Sequence, residues 1–342
     1  MSNRNCQGVL LIGLTLIATV FSPPSAFGEE KSSGFHWTDN PTEGIADLLL
    51  GEEHVVRYMY GFDRSDEQRT EETTKVYHHV FGPGTDTIIT KGPGGLYPHH
   101  RGLFVGWKKT IVGDESYDFW HCREGIVHQR HVRFIEMRSG DESGSMTAEI
   151  QWNDPDGNPV ITEKRTIDVS RAPGDSGAGY GWQIDWRTVV SSNRGEIRLE
   201  GDRQHAGFQF RAAQPIADGK GARYIRPAGF PEGLDAFQVG DDGDPPPHID
   251  LGWLAMTYVL DEKRYTIEYF EDPALPKPSL FSERPYGRFG AFFKATVQPE
   301  KPLSMRYRIR VTSGRTPTRA AIQSRYDEFT AELASIRGPE QP

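Results

Sequence analysis

Cysteine is almost missing from this chain. Its 342 residues hold only Cys6 and Cys122, so no disulfide framework is expected and the fold must rest on its apolar core. Long apolar runs are missing too. Residues 8–21 form the only one of note, about 14 residues against the roughly 20 that a bilayer-spanning helix needs. No block of Lys or Arg occurs, and 39 basic against 48 acidic side chains give a net charge of −9. That balance argues against nucleic acid and anionic membrane surfaces as partners, and it favours a neutral ligand over a polyanion. Several motifs are absent as well: HExxH, CxxC, HxH, a phosphate loop, a dinucleotide fingerprint and a serine elbow. The glycines at 92, 94 and 95 are followed by neither a lysine nor a helix start, so they do not make a phosphate-binding loop.

Residues 1–28 read as a secretory signal. A polar start with Arg4 leads into the apolar run, and Ala26, Phe27 and Gly28 form a small-residue exit. Cys6 precedes the apolar run, whereas a lipoprotein cysteine would follow it. Removing this segment takes away one charged side chain, Arg4, and moves the net charge from −9 to −10. The mature protein is therefore expected in the periplasm or outside the cell, with no membrane span after cleavage.

Residues 29–43 read as a polar leader. From 44 onward, short stretches of β-branched and aromatic residues alternate with Gly, Pro, Asp and Asn. Strands are expected at 55–60, 76–81, 87–90, 102–107, 132–137, 146–152 and 164–169. Further strands follow at 183–191, 197–200, 205–211, 251–260, 265–270, 289–298 and 304–312. The last is the clearest, because Met305, Tyr307, Ile309 and Val311 alternate with Arg306, Arg308 and Arg310. Residues 174–181 and 240–248 read as loops. Only the tail has helical spacing, with Ala321, Tyr326, Phe329 and Leu333 on one side. The fold class expected is all-β: one large two-sheet antiparallel sandwich over 44–314, then a helical tail over 315–342.

Candidate chemistry concentrates in residues 96–132. Five of the eleven histidines fall there (His99, His100, His121, His128 and His131), with Trp107, Trp120 and Cys122. In YPHHRG, His99 and His100 are candidate proton carriers and Arg101 a candidate binder of oxygen-bearing groups. If that piece is a strand, only one of the two imidazoles enters a given pocket. In YDFWHC, Trp120, together with Trp107, could stack on a sugar ring. Asp118 and His121 would then contact its hydroxyls; core packing explains the tryptophans equally well. In HAGFQFR, a strand places Ala206, Phe208 and Phe210 on the core face. His205, Gln209 and Arg211 then share the other face, with Asp202 just upstream. Glu268, Glu271, Asp272 and Glu283 are late carboxylates suited equally to acid–base work and to surface turns. No cofactor is expected. The alternative is a transition metal held by His121, His128 and His131. A Cys122 nucleophile paired with His121 is the weakest option, since neighbours on extended chain diverge.

The PHHRG, DFWH and HAGFQFR pieces, with the closing FEDP, RPYGRFG and MRYRIRV block, resemble a family of exported bacterial proteins labelled methane oxygenase PmoA. The resemblance covers nearly all of the mature chain. It implies a β-supersandwich of the galactose-mutarotase type, in bacteria that degrade polysaccharides. Arg101, His205 and a late carboxylate stand in the chain order of the mutarotase arginine, histidine and glutamate, but the local motifs differ and the roles do not carry over. Together these readings lead to an exported carbohydrate-active enzyme using histidine acid–base chemistry on a sugar or glycoside, by hydrolysis, elimination or epimerisation. The alternatives are a non-catalytic glycan-binding sandwich and a metal-dependent enzyme.

Overall fold

The alternation in 305–311 becomes the middle of a sheet. In the computed structural model Met305, Tyr307, Ile309 and Val311 are buried in the main core. Arg308 on the opposite face pairs with Asp185 and Glu332. The structure describes Met1 and residues 33–122, 126–174, 180–230, 232–236 and 248–337. The expected signal thus lies outside the described residues apart from Met1, as do most of the loops at 174–181 and 240–248. Contacts divide the chain into Met1–Lys31 and Ser32–Pro342, and the second unit is described here.

Its elements begin with β1 (Phe35–Asn40), β2 (Ile45–Leu50), β3 (Glu53–Met59), α1 (Glu67–Thr73), β4 (Tyr77–Val80), β5 (Leu103–Trp107), β6 (Lys109–Val112) and β7 (Glu115–Tyr117). Next come β8 (His128–Arg138), β9 (Ser143–Asn153), β10 (Pro159–Pro173), β11 (Tyr180–Ser192), β12 (Ile197–Glu200), β13 (Ala206–Arg211), α2 (Gln214–Gly219) and β14 (Arg223–Ile225). The chain closes with β15 (Trp253–Leu260), β16 (Lys263–Glu271), β17 (Leu280–Arg284), β18 (Arg288–Phe292), β19 (Ala295–Val297), β20 (Leu303–Ser313) and α3 (Arg319–Arg337).

Two eight-stranded sheets carry the fold. The first runs β1-β2-β3-β4-β5-β13-β18-β17 and the second β14-β15-β16-β20-β11-β10-β9-β8, beside a small sheet β19-β12-β6-β7. Neighbouring strands are antiparallel throughout. This is the expected all-β sandwich with a C-terminal helix. Its inner faces meet in a core that includes Leu103, Val105 and Phe208 from the first sheet and Trp186, Tyr269 and Tyr307 from the second. Full burial of one such aromatic side chain is worth roughly 1.5–3 kcal/mol.

Several details differ from the sequence reading. β1 forms inside the stretch read as a polar leader, because backbone pairing with β2 holds it although three of its six residues stay exposed. Residues 87–90 make only isolated bridges, Phe81 to Ile88 and Thr90 to Ala212. The stretch 289–298 divides into β18 and β19, which belong to different sheets. α1 was not anticipated because it has no buried residue and hence no apolar period; Asp66 caps it by accepting from the Arg69 N–H at 2.8 Å. α2 is too short for a period to show. On α3 the buried stripe is Ile322, Phe329 and Leu333, with Tyr326 packed beside it, so Ile322 takes the place expected of Ala321. This stripe covers Trp253, Ala255 and Phe270 on the outer face of the second sheet.

Candidate functional site

Side chains along β5 and β13 alternate between two environments. Leu103, Val105, Trp107, Ala206, Phe208 and Phe210 enter the main core. Phe104, Gln209 and Arg211 therefore lie on the face turned away from it. On that outer face Phe104 packs with Tyr77 and Trp120 in a small separate cluster. Turns from distant parts of the chain settle over it.

The first is residues 118–122. It is a single helical-type turn and not the extended chain assumed for His121 and Cys122: the Cys122 N–H donates to the Asp118 carbonyl at 3.0 Å. The Asp118 carboxylate accepts from the N–H groups of Trp120 at 3.0 Å and His121 at 2.8 Å. Gly106 lets this turn lie flat on β5, since a Cβ there would sit 2.4 Å from the Phe119 carbonyl oxygen. The second turn carries His99 and His100, with the His100 N–H donating to the Tyr97 carbonyl at 3.0 Å. Because this backbone is folded and not extended, the two rings do not diverge; their centroids are 4.4 Å apart. The third turn spans 202–205, closed by the His205 N–H and the Asp202 carbonyl at 3.1 Å.

Lys75, just after α1, ties the first two turns together. Its buried ammonium donates to the His99 carbonyl at 2.9 Å and to the Trp120 carbonyl. The outcome is a row of imidazoles. His99 lies 4.4 Å from His121, ring centre to ring centre, and His121 lies 5.2 Å from His205. Two of them are held by carboxylates: His121 Nδ1 is 2.7 Å from Asp118 Oδ2, and His205 Nδ1 is 2.9 Å from Asp202 Oδ1. A carboxylate at Nδ1 fixes the ring's orientation and leaves Nε2 for exchange with a ligand. His99, Arg101 and His121 also line a hollow of about 560 Å³, whose far wall is Glu67, Thr70 and Glu71 of α1. Pockets for small ligands fall in the range of about 300–1,000 Å³.

The electrostatics sort the groups. Burial works to raise both carboxyls, but the hydrogen bonds from their histidines prevail. Asp118 is held below its ordinary value and Asp202 is brought down to about 2. His100 is driven well below its usual value, first by burial and then by the charges of Arg288, His99, Arg211 and Lys75, so it stays neutral. Burial pushes the Cys122 thiol up to about 11, and its Sγ lies 3.6 Å from the Phe119 carbonyl. Cys122 lines the hollow, but burial that keeps the sulfur protonated argues against a nucleophilic role.

Other expected site residues require correction. Trp107 is wholly buried in the main core, its Nε1 donating to the Phe293 carbonyl at 3.2 Å. Trp120 is wholly buried against Phe104, 4.7 Å between ring centres. Neither offers a face to a sugar. The exposed ring beside His99 and His100 is Tyr97, stacked at a tilt on Tyr286 at 4.8 Å. Gln209 is buried as well, donating to the Ala206 carbonyl at 3.1 Å and accepting from Arg288 at 3.3 Å. Arg101 donates to the carbonyls of His100 and Glu71 at 3.3 and 3.1 Å. Arg211 lies under Tyr286, donating to its carbonyl.

The alternative three-histidine metal site does not assemble. His128 stacks on Phe62 and contacts Arg64 and Asn153, whereas His131 sits among Tyr58, Tyr60 and Phe134. Among the described residues no group of three or more His, Cys, Asp and Glu is arranged to hold a metal. The late carboxylates are engaged elsewhere: Glu268 with Arg325, Glu271 with Lys277 and Ser279, Asp272 with Arg337, and Glu283 with Arg226. Lys75, Arg288, Tyr286 and α1 escaped the sequence reading. They lie in ordinary-looking stretches, and only contact reveals them.

A family model described as a family of unknown function, DUF6807, matches residues 46–327. The chain belongs to this family. The matched span takes in every histidine of the row, and what it carries is the DUF6807 name and not the expected methane-oxygenase label. No curated protein matches the chain in sequence. Among solved structures, a protein provisionally named a kojibiose phosphorylase, from the human microbiome, aligns at 10% identity and a TM-score of 0.29. That alignment covers 89% of this chain and 36% of the other, so this chain spans about a third of its length. A structural-genomics target from Synechocystis sp. PCC 6803 aligns at 10% identity and a TM-score of 0.34, over 82% of this chain and 96% of that one. Likenesses at these scores carry nothing about the DUF6807 protein's chemistry.

Proposed function

We propose that this DUF6807 protein is an exported carbohydrate-active enzyme that moves protons between His121, His205 and a sugar or glycoside. One observation carries the reading: two imidazoles, each oriented by its own carboxylate, have ring centres 5.2 Å apart, and one of them, His121, lines the 560 Å³ hollow. Such a pair supplies a proton donor and a proton acceptor at one place. His99 continues the row into the hollow, and Glu67 and Glu71 offer hydroxyl acceptors opposite. Tyr97, in place of the buried tryptophans, is the ring available to a pyranose face. The resemblance to the PmoA-labelled exported family supports both the sugar and a periplasmic or secreted location.

The spacing also bears on the reaction. Epimerisation by two bases needs them on opposite faces of the reacting carbon. Rings with centres 5.2 Å apart and planes 34° apart leave no room for a sugar between their faces. Both work from one side of the substrate, which favours elimination across one face over epimerisation or two-sided hydrolysis. Proton transfer in this reading is assigned to imidazoles, without a metal.

The test is a turnover screen of the mature protein on polysaccharides and aryl glycosides. It reads new reducing ends and the ultraviolet absorbance of unsaturated products. Activity that survives a chelator and disappears in a folded His205→Ala variant supports the reading. Saturable sugar binding with no product would put the glycan-binding alternative in its place, and a stoichiometric transition metal would restore the metal-dependent one.

A further inference from the structure

The outer face of the first sheet holds buried cations that lack an ion-pair partner among the described residues. Arg211 and Arg288 are about 1% exposed or less, and Arg101 and Lys91 are no more than 2% exposed. None of the four forms an ion pair with a described residue. The two arginines occupy neighbouring strands at paired positions, Arg211 on β13 opposite Arg288 on β18. Arg211 uses one nitrogen, Nη1, on the Tyr286 carbonyl, while its buried Nε and Nη2 have no hydrogen-bond partner. Arg101 Nε is likewise buried without a partner. A buried guanidinium left with idle N–H groups is costly unless an acceptor arrives to meet them.

Two of the nearby carboxylates are already occupied. Asp118 and Asp202 hold His121 and His205. Arg288 reaches toward the second of these pairs, its Nη1 lying 3.5 Å from the Arg203 carbonyl in the stretch that leads to His205. The Arg211 guanidinium lies 4.9 Å from the ring centre of Tyr286, and Tyr97 leans on the same ring. Tyr97 itself has φ +56°, between glycines of positive φ at 94 and 95 and His99. Cations beside a row of imidazoles, beneath two tyrosines, are placed to take a small anion attached to a ring.

We propose that Arg211, with Arg288 beside it, is the carboxylate subsite of this centre, and that the substrate class is a hexuronic acid or a glycoside of one. The proposal rests on the acid–base reading above and narrows it. A planar carboxylate matches the fork of a guanidinium, and the charge-assisted bonds would employ the idle nitrogens. Lys91 supports this placement, because burial and then the charges of Arg101 and Arg211 bring it down to about 7, as expected where positive charge is crowded. The net charge of −9 pointed to a neutral ligand. The total describes the whole surface, whereas recognition depends on the local field.

Titration calorimetry on the mature protein tests it with D-galacturonate and D-glucuronate, their neutral parents D-galactose and D-glucose, and galactose 6-sulfate. Uronates should bind at least ten-fold more tightly than their parents, and Arg211→Met should abolish that preference. The wild-type comparison decides the matter even if that variant does not fold, and Arg288→Lys gives a second reading. Equal affinity for neutral sugars, or binding of the sulfate but not the uronates, would overturn the proposal. Uronate binding without turnover of any uronate glycoside would uphold the subsite and remove the catalytic reading. Turnover of neutral glycosides with no preference for uronates would do the reverse.

Discussion

His121 and His205 are 84 positions apart in the chain, yet their rings lie 5.2 Å apart and each is gripped at Nδ1 by a carboxylate three residues upstream. The same local device occurs twice, in two unrelated turns. An aspartate three residues ahead of a histidine closes a turn and orients the imidazole it carries. Both turns rest on one sheet face because β5 and β13 are direct neighbours. Removing either ring should leave the sheet unaltered and stop proton transfer.

The carboxylates therefore make the sharpest prediction. Asp202→Asn keeps the turn's shape but offers His205 an amide, which stabilises the wrong tautomer and no positive charge. Turnover should fall by about 10²–10⁴, the span typical of positioned acid–base groups, while the melting temperature changes little. Asp118→Asn should act likewise through His121. Parallel kinetics and thermal melts on the two variants check this, and unchanged kcat in both would remove the paired-carboxylate device from the mechanism.

Lys75 gives a second prediction. Its ammonium serves carbonyls from two turns, so Lys75→Met fills similar space yet strands the His99 and Trp120 oxygens. Leaving buried acceptors unpaired costs about 1–3 kcal/mol each. A lower unfolding midpoint and at least a ten-fold fall in kcat should appear together, because the His99 and His121 turns lose their common anchor. Normal kinetics in a destabilised variant would show that the anchor does not position the site.

What could be read in the sequence depended on whether a residue's role is local. The strand at 303–313 and the two faces of 206–211 were legible, since alternation alone decides which side meets the core. The crowding of histidines in 96–132 drew notice to His99, His100 and His121, whose rings lie together in the structure. Burial of Trp107 and Trp120 was not legible, for an indole suits a core and a ligand platform equally. The turns around 99 and 120 were weighed as extended chain, because a folded turn carries no period to reveal it. α1 has no buried face to reveal it. Lys75, Arg288 and Tyr286 matter only through neighbours far along the chain, and one sequence does not record such neighbours.

Acid should weaken the fold ahead of the carboxylates. Burial first, then Arg57 and Arg101, lower His79 to about 3, and burial likewise lowers His78 and His100 well below their usual value. In the unfolded chain these imidazoles take up protons near pH 6.5. Between that pH and the lower folded values the unfolded state binds more protons, so stability is complete above about pH 6.5 and falls as the pH drops. Each such histidine adds a slope of about 1.4 kcal/mol per pH unit. Urea midpoints at pH 7.5, 6 and 5 should decline steadily, with a shallower decline in His79→Gln. A flat profile across that window would mean that these rings do not stay neutral in the fold.

Gly106 offers a purely steric test of how the site is built. It has an ordinary strand conformation, so alanine brings no backbone strain there; the obstacle is space. The added methyl would meet the Phe119 carbonyl oxygen at 2.4 Å and its carbon at 3.1 Å. Both are backbone atoms, and the turn they belong to is anchored by the Asp118 carboxylate and by the Phe119 N–H bonded to Trp107. Relief requires lifting the turn from β5, which carries His121 away from His205. Gly106→Ala should therefore cost about 1–3 kcal/mol, the usual range for overpacking, and should impair turnover as severely as loss of His121. Chemical denaturation measures the first effect and kcat the second. A variant that loses stability but keeps full turnover would show that the pair tolerates displacement, and that close approach of the turn to β5 serves the fold alone.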